Sequence, residues 1–379
     1  MGNKEFFFPN LNSLRFIAAF AVIIHHVEQT KWLYGEANIF EQPTVNLLGS
    51  LGVTLFFVLS GFLITYLLLK EKQKTGHVKI RKFYMRRILR IWPLYFLVVT
   101  AGLFLLPRFE FFDVPVWAND LYNGFGVKVI LFALILPNVA LILYPPMPYM
   151  KQTWSIGVEE QFYIIWPLII KYSRNYLLPL FLILFAMIVS TNLLYWITNK
   201  GYIRNETLLS SLNFLKQYLS SFRVGCMAIG GMMAYLLFFE KHQILKILFS
   251  KQVQLATLLL LGILLGLGIW VKYIQNEFYS VLFAILILNM AGNKNTLLNI
   301  DFKIFDFLGK ISYGLYMLHP IALTIAIHIV HHFYAKAEGV LPNIFLYSLS
   351  FLFTILLSFL SYRYYERFFL KLKYKFNPA

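Results

Sequence analysis

Ten stretches of this chain are apolar over lengths close to the roughly 20 residues that a helix needs to cross a bilayer. They lie at 11–29, 47–69, 91–106, 154–170, 177–196, 222–239, 253–271, 278–291, 312–331 and 344–362. Backbone polar groups in hydrocarbon must find partners within their own segment, so each run is expected to be helical. Composition agrees: 59% of the 379 residues are hydrophobic and 13% charged, where soluble domains carry about 25% charge. Mean hydropathy is +0.66. The loops left over are short. The expectation is an all-α integral membrane protein, a bundle of about ten transmembrane helices forming a single domain over 1–379 with no separate soluble domain. The one cysteine, Cys226, lies in an apolar stretch and offers neither an intrachain disulfide nor a thiolate metal cluster. The first apolar run continues into His25, His26 and Glu28 instead of small cleavage-site residues, which reads as a retained helix.

Lys and Arg concentrate in cytoplasmic loops, so their distribution tests the topology. With ten crossings and the N-terminus inside, 23 of the 34 basic residues fall on the inside and 9 on the outside, while Arg15 and Arg223 sit within spans. A further apolar run at 127–143 would, if it crossed, put the basic tail Arg363, Arg367, Lys371, Lys373 and Lys375 outside. It is therefore expected to be re-entrant or interfacial, within one external segment over 107–153, with both termini cytoplasmic. The net charge of +17 attracts anionic lipid and phosphorylated ligands alike. Membrane lipids are expected partners and nucleic acid is not.

Charged side chains at membrane depth cost at least about 2.5–3.5 kcal/mol and so mark function by default. Arg15 and His26 are eleven residues apart, about three turns and about 16 Å on one helix face. His25 points about 100° away. The same spacing also fits an Arg15 that snorkels and a His26 that rests among headgroups. The loop ending in Arg86-Arg87-Ile88-Leu89-Arg90 places Arg87 and Arg90 at i,i+3, a pair of guanidinium forks suited to phosphate. Positive-inside topology explains the same charges.

Trp154-Ser155 leads into Glu159 and Glu160. Acidic residues near a helix start stabilise it, and one of these could also orient an imidazole. Ser312, Tyr316 and His319 follow i, i+4, i+7 and form a polar stripe that should face protein or a pore. Ser60, in Leu59-Ser60-Gly61, joins that pore-lining set, although small residues in membrane helices usually mean close packing. His328, His331 and His332 lack an acidic or Cys partner at useful spacing, and no metal is expected.

Taken together, these segments resemble the bacterial membrane acyltransferase-three family. The resemblance rests on Leu11-Asn12-Ser13-Leu14-Arg15 with His26, Phe57 to Phe62, Arg86-Arg87-x-x-Arg90 with Pro93 and Tyr95, Trp154-Ser155 with Glu159, and Ile311-Ser312-Tyr313 to His319. It implies O-acylation of sugars outside the bacterial cytoplasmic (inner) membrane and acyl-CoA, most simply acetyl-CoA, as a cytoplasmic co-substrate, with no tightly bound cofactor. It also implies that Arg15, His26, Arg87 and Arg90 matter for activity. Many family members carry a further helix and an extracytoplasmic hydrolase-like domain; here the module is expected to act alone or with a separate extracytoplasmic partner.

The resulting expectation is a donor site of Arg15, Arg86, Arg87 and Arg90 for acyl-CoA. His26 is the expected general base on a hydroxyl of a carbohydrate or glycolipid, with Glu159 or Glu160 orienting its ring. The rival reading is a multi-pass transporter or exporter of an anionic or glycan substrate, for which half-repeats with interrupted helices would be the sign.

Overall fold

The computed structural model describes residues 8, 10–117, 122–200, 203–334 and 336–376. All regular structure among them is helical. Helices α1 (Leu11–Leu33), α2 (Pro43–Thr75) and α3 (Ile80–Thr100) open the chain, and α4 (Phe125–Ala133), α5 (Pro137–Leu143), α6 (Trp154–Tyr172), α7 (Leu177–Asn199) and α8 (Glu206–Ser221) follow. The second half holds α9 (Val224–Phe238), α10 (His242–Leu248), α11 (Lys251–Gly266), α12 (Gln275–Gly292), α13 (Lys303–Lys310), α14 (Ser312–Tyr334), α15 (Val340–Leu360) and α16 (Arg367–Lys373).

Seven helices among the described residues are long and apolar enough to cross a membrane, or eight if the bent α10–α11 pair is one span. This is a multi-pass, all-α membrane protein. The two remaining stretches from the sequence are present as α6 and α12, 19 and 18 residues long, each diluted by polar residues, Glu159, Glu160 and Gln161 in one and Gln275, Asn276 and Glu277 in the other. The ambiguous run at 127–143 is broken into α4 and α5. Pro137 starts the second helix, and Ile135 between them takes a left-handed backbone with φ 58°, so neither piece can continue into the other. Residues 118–121 of the long 107–153 segment lie outside the described residues.

Burial sorts the helices into layers. Within its apolar window α2 is 72% buried and α14 67%, whereas α7 is 11% and α15's continuous helix 22%. A helix that is apolar all round can afford either position only in lipid, and α7 turns Leu178, Phe181 and Phe185 outward. At the centre, α2 and α9 approach closely enough that a Cβ on Gly61 would strike the Met227 carbonyl and one on Gly230 the Val58 carbonyl. Small residues make such an approach feasible. Against this pair pack α1, α12 and α6, with α14 next to α1 and α15. Arg223 caps the start of α9 and donates to Ser50 and Thr54 on α2 at 3.1–3.3 Å while lying over the Trp154 ring, which accounts structurally for one of the two intramembrane arginines.

Candidate active site

The starts of α1 and α3 and the end of α2 meet at one end of the bundle. There α1 contributes Arg15 and α3 contributes Arg87 and Arg90, whose i,i+3 spacing puts both guanidiniums on one face. The three lie within charge–charge range of one another, and Glu159 and Tyr163 of α6 are part of the same neighbourhood. Among the described residues, no carboxylate comes within the 4.0 Å of an ion pair with any of them. Arg15 donates to Asn12 at 3.1 Å, and Asn12 in turn donates to Asp306 at 2.8 Å. Arg87 lies over the Phe83 and Tyr163 rings, and its Nε is buried without a hydrogen-bond partner. A cluster of cations held this way is prepared for an anion.

Arg86 does not belong to that cluster. It is salt-bridged to Glu71 at 2.8 Å, and it donates to the Phe376 carbonyl at 2.9 Å. One residue from Arg87 is about 100° around a helix, which turns Arg86 toward the end of α2 and the C-terminal segment.

The structure also relocates the two glutamates. Neither is a hydrogen-bond partner of His26. Ser60 and Tyr163, whose hydroxyls touch each other, both lie within reach of the Glu159 carboxylate, and Arg87 and Arg90 face it. Glu160 accepts from Trp92 Nε1 at 3.3 Å and leaves Oε1 buried without a partner. The reason is position along the axis. Glu159 and Glu160 share the level of Arg15 and Arg87, about 16 Å of helix away from His26. They face the arginines without ion-pairing to them, and they do not orient the imidazole.

His26 needs no carboxylate for its orientation. Its Nδ1 lies 2.8 Å from the Val22 carbonyl, one turn back on α1. A carbonyl oxygen has no proton to give, so Nδ1 carries the hydrogen and Nε2 presents a lone pair. His319 repeats the arrangement, with Nδ1 2.7 Å from the Tyr316 carbonyl and a buried Nε2 without a partner. The His26 and His319 rings stand 4.8 Å apart between centroids. His25 is turned to the Val45 carbonyl at 3.0 Å and to Phe40.

At this far end of the bundle His26 lines a small, partly open cleft together with Gln29, Thr30, Tyr34, Tyr149, Lys151, Gln152 and Thr324. None of the predicted pore-lining residues Ser60, Ser312, Tyr316 and His319 is on its wall. They are packed polar groups instead: His319 is fully buried and Ser312 and Tyr316 nearly so. The Tyr316 hydroxyl lies 2.9 Å from that of Ser155 and donates to the Gln152 carbonyl at 2.9 Å, and Gln152 forms part of the cleft wall. Tyr316 also lies within charge–charge range of Glu159.

The profile of the acyltransferase-3 family, described as an acyltransferase domain, matches residues 8–363. The chain belongs to this family. Among its relatives is O-acetyltransferase OatA of Staphylococcus aureus, from strains NCTC 8325 / PS 47 and COL, each 27% identical over 95% of this chain and 57% of its own length. The chain thus spans a little over half the length of the curated relatives it matches. No solved structure matches it.

For this acyltransferase-domain chain, several cleft residues escaped the reading of the sequence. Gln29 is three residues after His26 and was legible as a neighbour on the same face. Lys151 and Tyr149 come from a segment without periodicity, and only the fold brings them to His26. Likewise His331 does have an acidic partner: Glu36, 295 residues upstream, accepts at 2.9 Å, a distance in sequence that no local motif spans.

Proposed function

We propose that this protein is an acyl-CoA-dependent O-acyltransferase that carries an acyl group, most simply acetyl, across a bacterial cytoplasmic membrane to a sugar hydroxyl. The observation that carries the reading is the pairing of two unfinished sites. An arginine cluster without ion-paired carboxylates stands at one end, and an imidazole with an open lone pair stands in a cleft at the other. The names of the relatives support oxygen as acceptor atom and acetyl as group.

On this reading the phosphates of acyl-CoA dock on Arg15, Arg87 and Arg90 at the cytoplasmic end, and the thioester reaches from there toward His26. The acceptor, a carbohydrate or glycolipid, enters the cleft from outside. Its hydroxyl oxygen forms a bond to the thioester carbonyl carbon as its proton passes to His26 Nε2. The carbon–sulfur bond then breaks, and the departing CoA thiolate recovers that proton from the imidazolium. The Val22 carbonyl holds the tautomer throughout, the role that a carboxylate plays in other histidine bases. Both termini are cytoplasmic on this reading, and a separate extracytoplasmic protein that receives or presents the glycan would leave this step unchanged.

The test is turnover. Purified protein in detergent should release free CoA from acetyl-CoA only when a sugar acceptor is present, with the label appearing on the sugar. Acceptor-stimulated flux of an intact anion or glycan across proteoliposomes, with no CoA released, would replace this reading with a transporter.

A further inference from the structure

The cleft beside His26 contains a charge that the protein does not balance. Lys151 lines it and stands within charge range of both His25 and His26. Among the described residues, no carboxylate lies within 4.0 Å of its ammonium group. Of the acids on neighbouring elements, Glu28 is engaged with Lys31 and Tyr347 and Glu36 with His331 and the Ala337 amide, while Asp113 lies within charge range of Tyr34 and Tyr149 but not of Lys151. Burial alone acts on the Lys151 ammonium, holding its pKa below the ordinary lysine value. A half-buried cation without a counter-charge is costly unless something supplies one.

The other polar groups of the cleft do not offer that counter-charge, and they also define what fits. Thr30 donates its hydroxyl proton to the His26 carbonyl at 2.8 Å, Tyr149 to the Phe112 carbonyl at 2.6 Å and Thr324 to the Pro320 carbonyl at 3.2 Å. With these protons committed, and the Thr324 hydroxyl also within hydrogen-bond reach of Tyr34 and Tyr149, the wall oxygens are left as acceptors, which suits the hydroxyl donors of a sugar ring and repels a carboxylate. The donors left are the Gln29 amide and Lys151.

Building on the transferase reading, we propose that Lys151 docks an anionic group of the acceptor, a carboxylate or phosphate, so that the substrate class is an acidic sugar and not a neutral one. The anion on Lys151 fixes one end of the ring while lone pairs of the wall take its hydroxyls, leaving one hydroxyl for His26 Nε2. Lys151 is then a specificity-determining residue of the acceptor site.

Binding and turnover are measured separately, so that the two readings fail separately. Equilibrium binding of p-nitrophenyl glucuronide, p-nitrophenyl glucoside and glucose 6-phosphate to the purified chain in detergent is the primary readout, repeated on Lys151→Met and Lys151→Arg proteins. A charge-assisted contact implies at least about tenfold tighter binding of an anionic sugar than of the glucoside. That ratio should collapse toward one in Lys151→Met and persist in Lys151→Arg, with acetyl-CoA binding to the Met variant reporting that it is folded. Preference for glucuronide or for glucose 6-phosphate identifies the anion. Equal binding of acidic and neutral sugars by the wild type, or a preference that survives Lys151→Met, overturns the proposal. So does a Met variant whose binding ratio is intact while turnover of both sugars falls equally, since Lys151 would then act on the reacting carbonyl. Binding preference without CoA release by the wild type would leave the acidic-sugar site standing and remove the transferase.

Discussion

His26 is a histidine whose tautomer is set by its own helix. Because the Val22 carbonyl accepts from Nδ1, Nε2 is free to take a proton, and a general base of this kind contributes about 10²–10⁴-fold to a rate. His26→Ala should therefore lower transfer by that order while acetyl-CoA still binds; His25→Ala, whose ring is turned to Val45 and Phe40, should be milder. Steady-state rates with a fixed acceptor decide it, and full activity in His26→Ala would show that the wrong imidazole was chosen. The donor end makes a second prediction. Replacing Arg87 and Arg90 together by Lys keeps the positive-inside charge but removes the planar forks that grip phosphate. Donor affinity should fall at least about tenfold, at about 1.5–3 kcal/mol per charge-assisted contact. Unchanged acetyl-CoA binding in correctly inserted protein would reduce the pair to a topological signal. Helical spacing alone puts Arg87 with Arg90 and Arg15 with His26 on shared faces, whereas the approach of Arg15 to Arg87 and Arg90 across two helices has no local mark in the sequence. The glutamates were misassigned for a physical reason: a carboxylate's partner is set by depth in the bundle, and two residues on α6 carry no mark of the depth at which α1 will meet them.

At the scale of elements, the α2–α9 crossing is where the packing tolerates least. Gly61 and Gly230 each face a carbonyl of the opposite helix, and a backbone carbonyl cannot swing aside as a side chain can. Gly61→Ala or Gly230→Ala should thus force the helices apart and cost at least the roughly 1–3 kcal/mol of ordinary overpacking, seen as a lower melting temperature in detergent. Gly262→Ala on α11, where nothing lies within 4 Å, is the matched control and should leave melting unchanged; equal effects at all three positions would remove the close crossing as the cause. Small residues in a membrane helix announce close packing in advance, but not the partner, and nothing local distinguishes Gly61 from Gly262. The break between α4 and α5 shows the same limit from the other side. Proline-rich flanks and charge bias indicated a run that does not cross, whereas the left-handed Ile135 at the break is a β-branched residue in a backbone region it seldom enters, a conformation that tertiary packing imposes.

The whole molecule has to reconcile helix lengths with a count of crossings. At 1.5 Å per residue, α4 and α5 reach about 14 and 11 Å, far short of a hydrocarbon core of about 30 Å. Helices α6 and α12, 19 and 18 residues long, reach about 28 and 27 Å and span it with little tilt to spare. If both cross and the α4–α5 pair does not, the crossings number ten and the two ends of the chain share a side. The distribution of 23 basic residues against 9 then predicts that this side is the cytoplasmic one. Cys226 is fully buried, so a single introduced cysteine can be read against a silent background. In intact cells a membrane-impermeant thiol reagent should label Tyr122→Cys, which replaces a side chain 73% exposed in the 107–153 segment. Lys375→Cys, in the C-terminal segment that Arg86 holds at the arginine end, should react only after permeabilisation. The two sites then lie on opposite sides, as a donor cluster at one end and an acceptor cleft at the other require. Labelling of both from outside would mean that one of the short elements crosses after all, and the arginine cluster would no longer be assigned to the side where acyl-CoA is made.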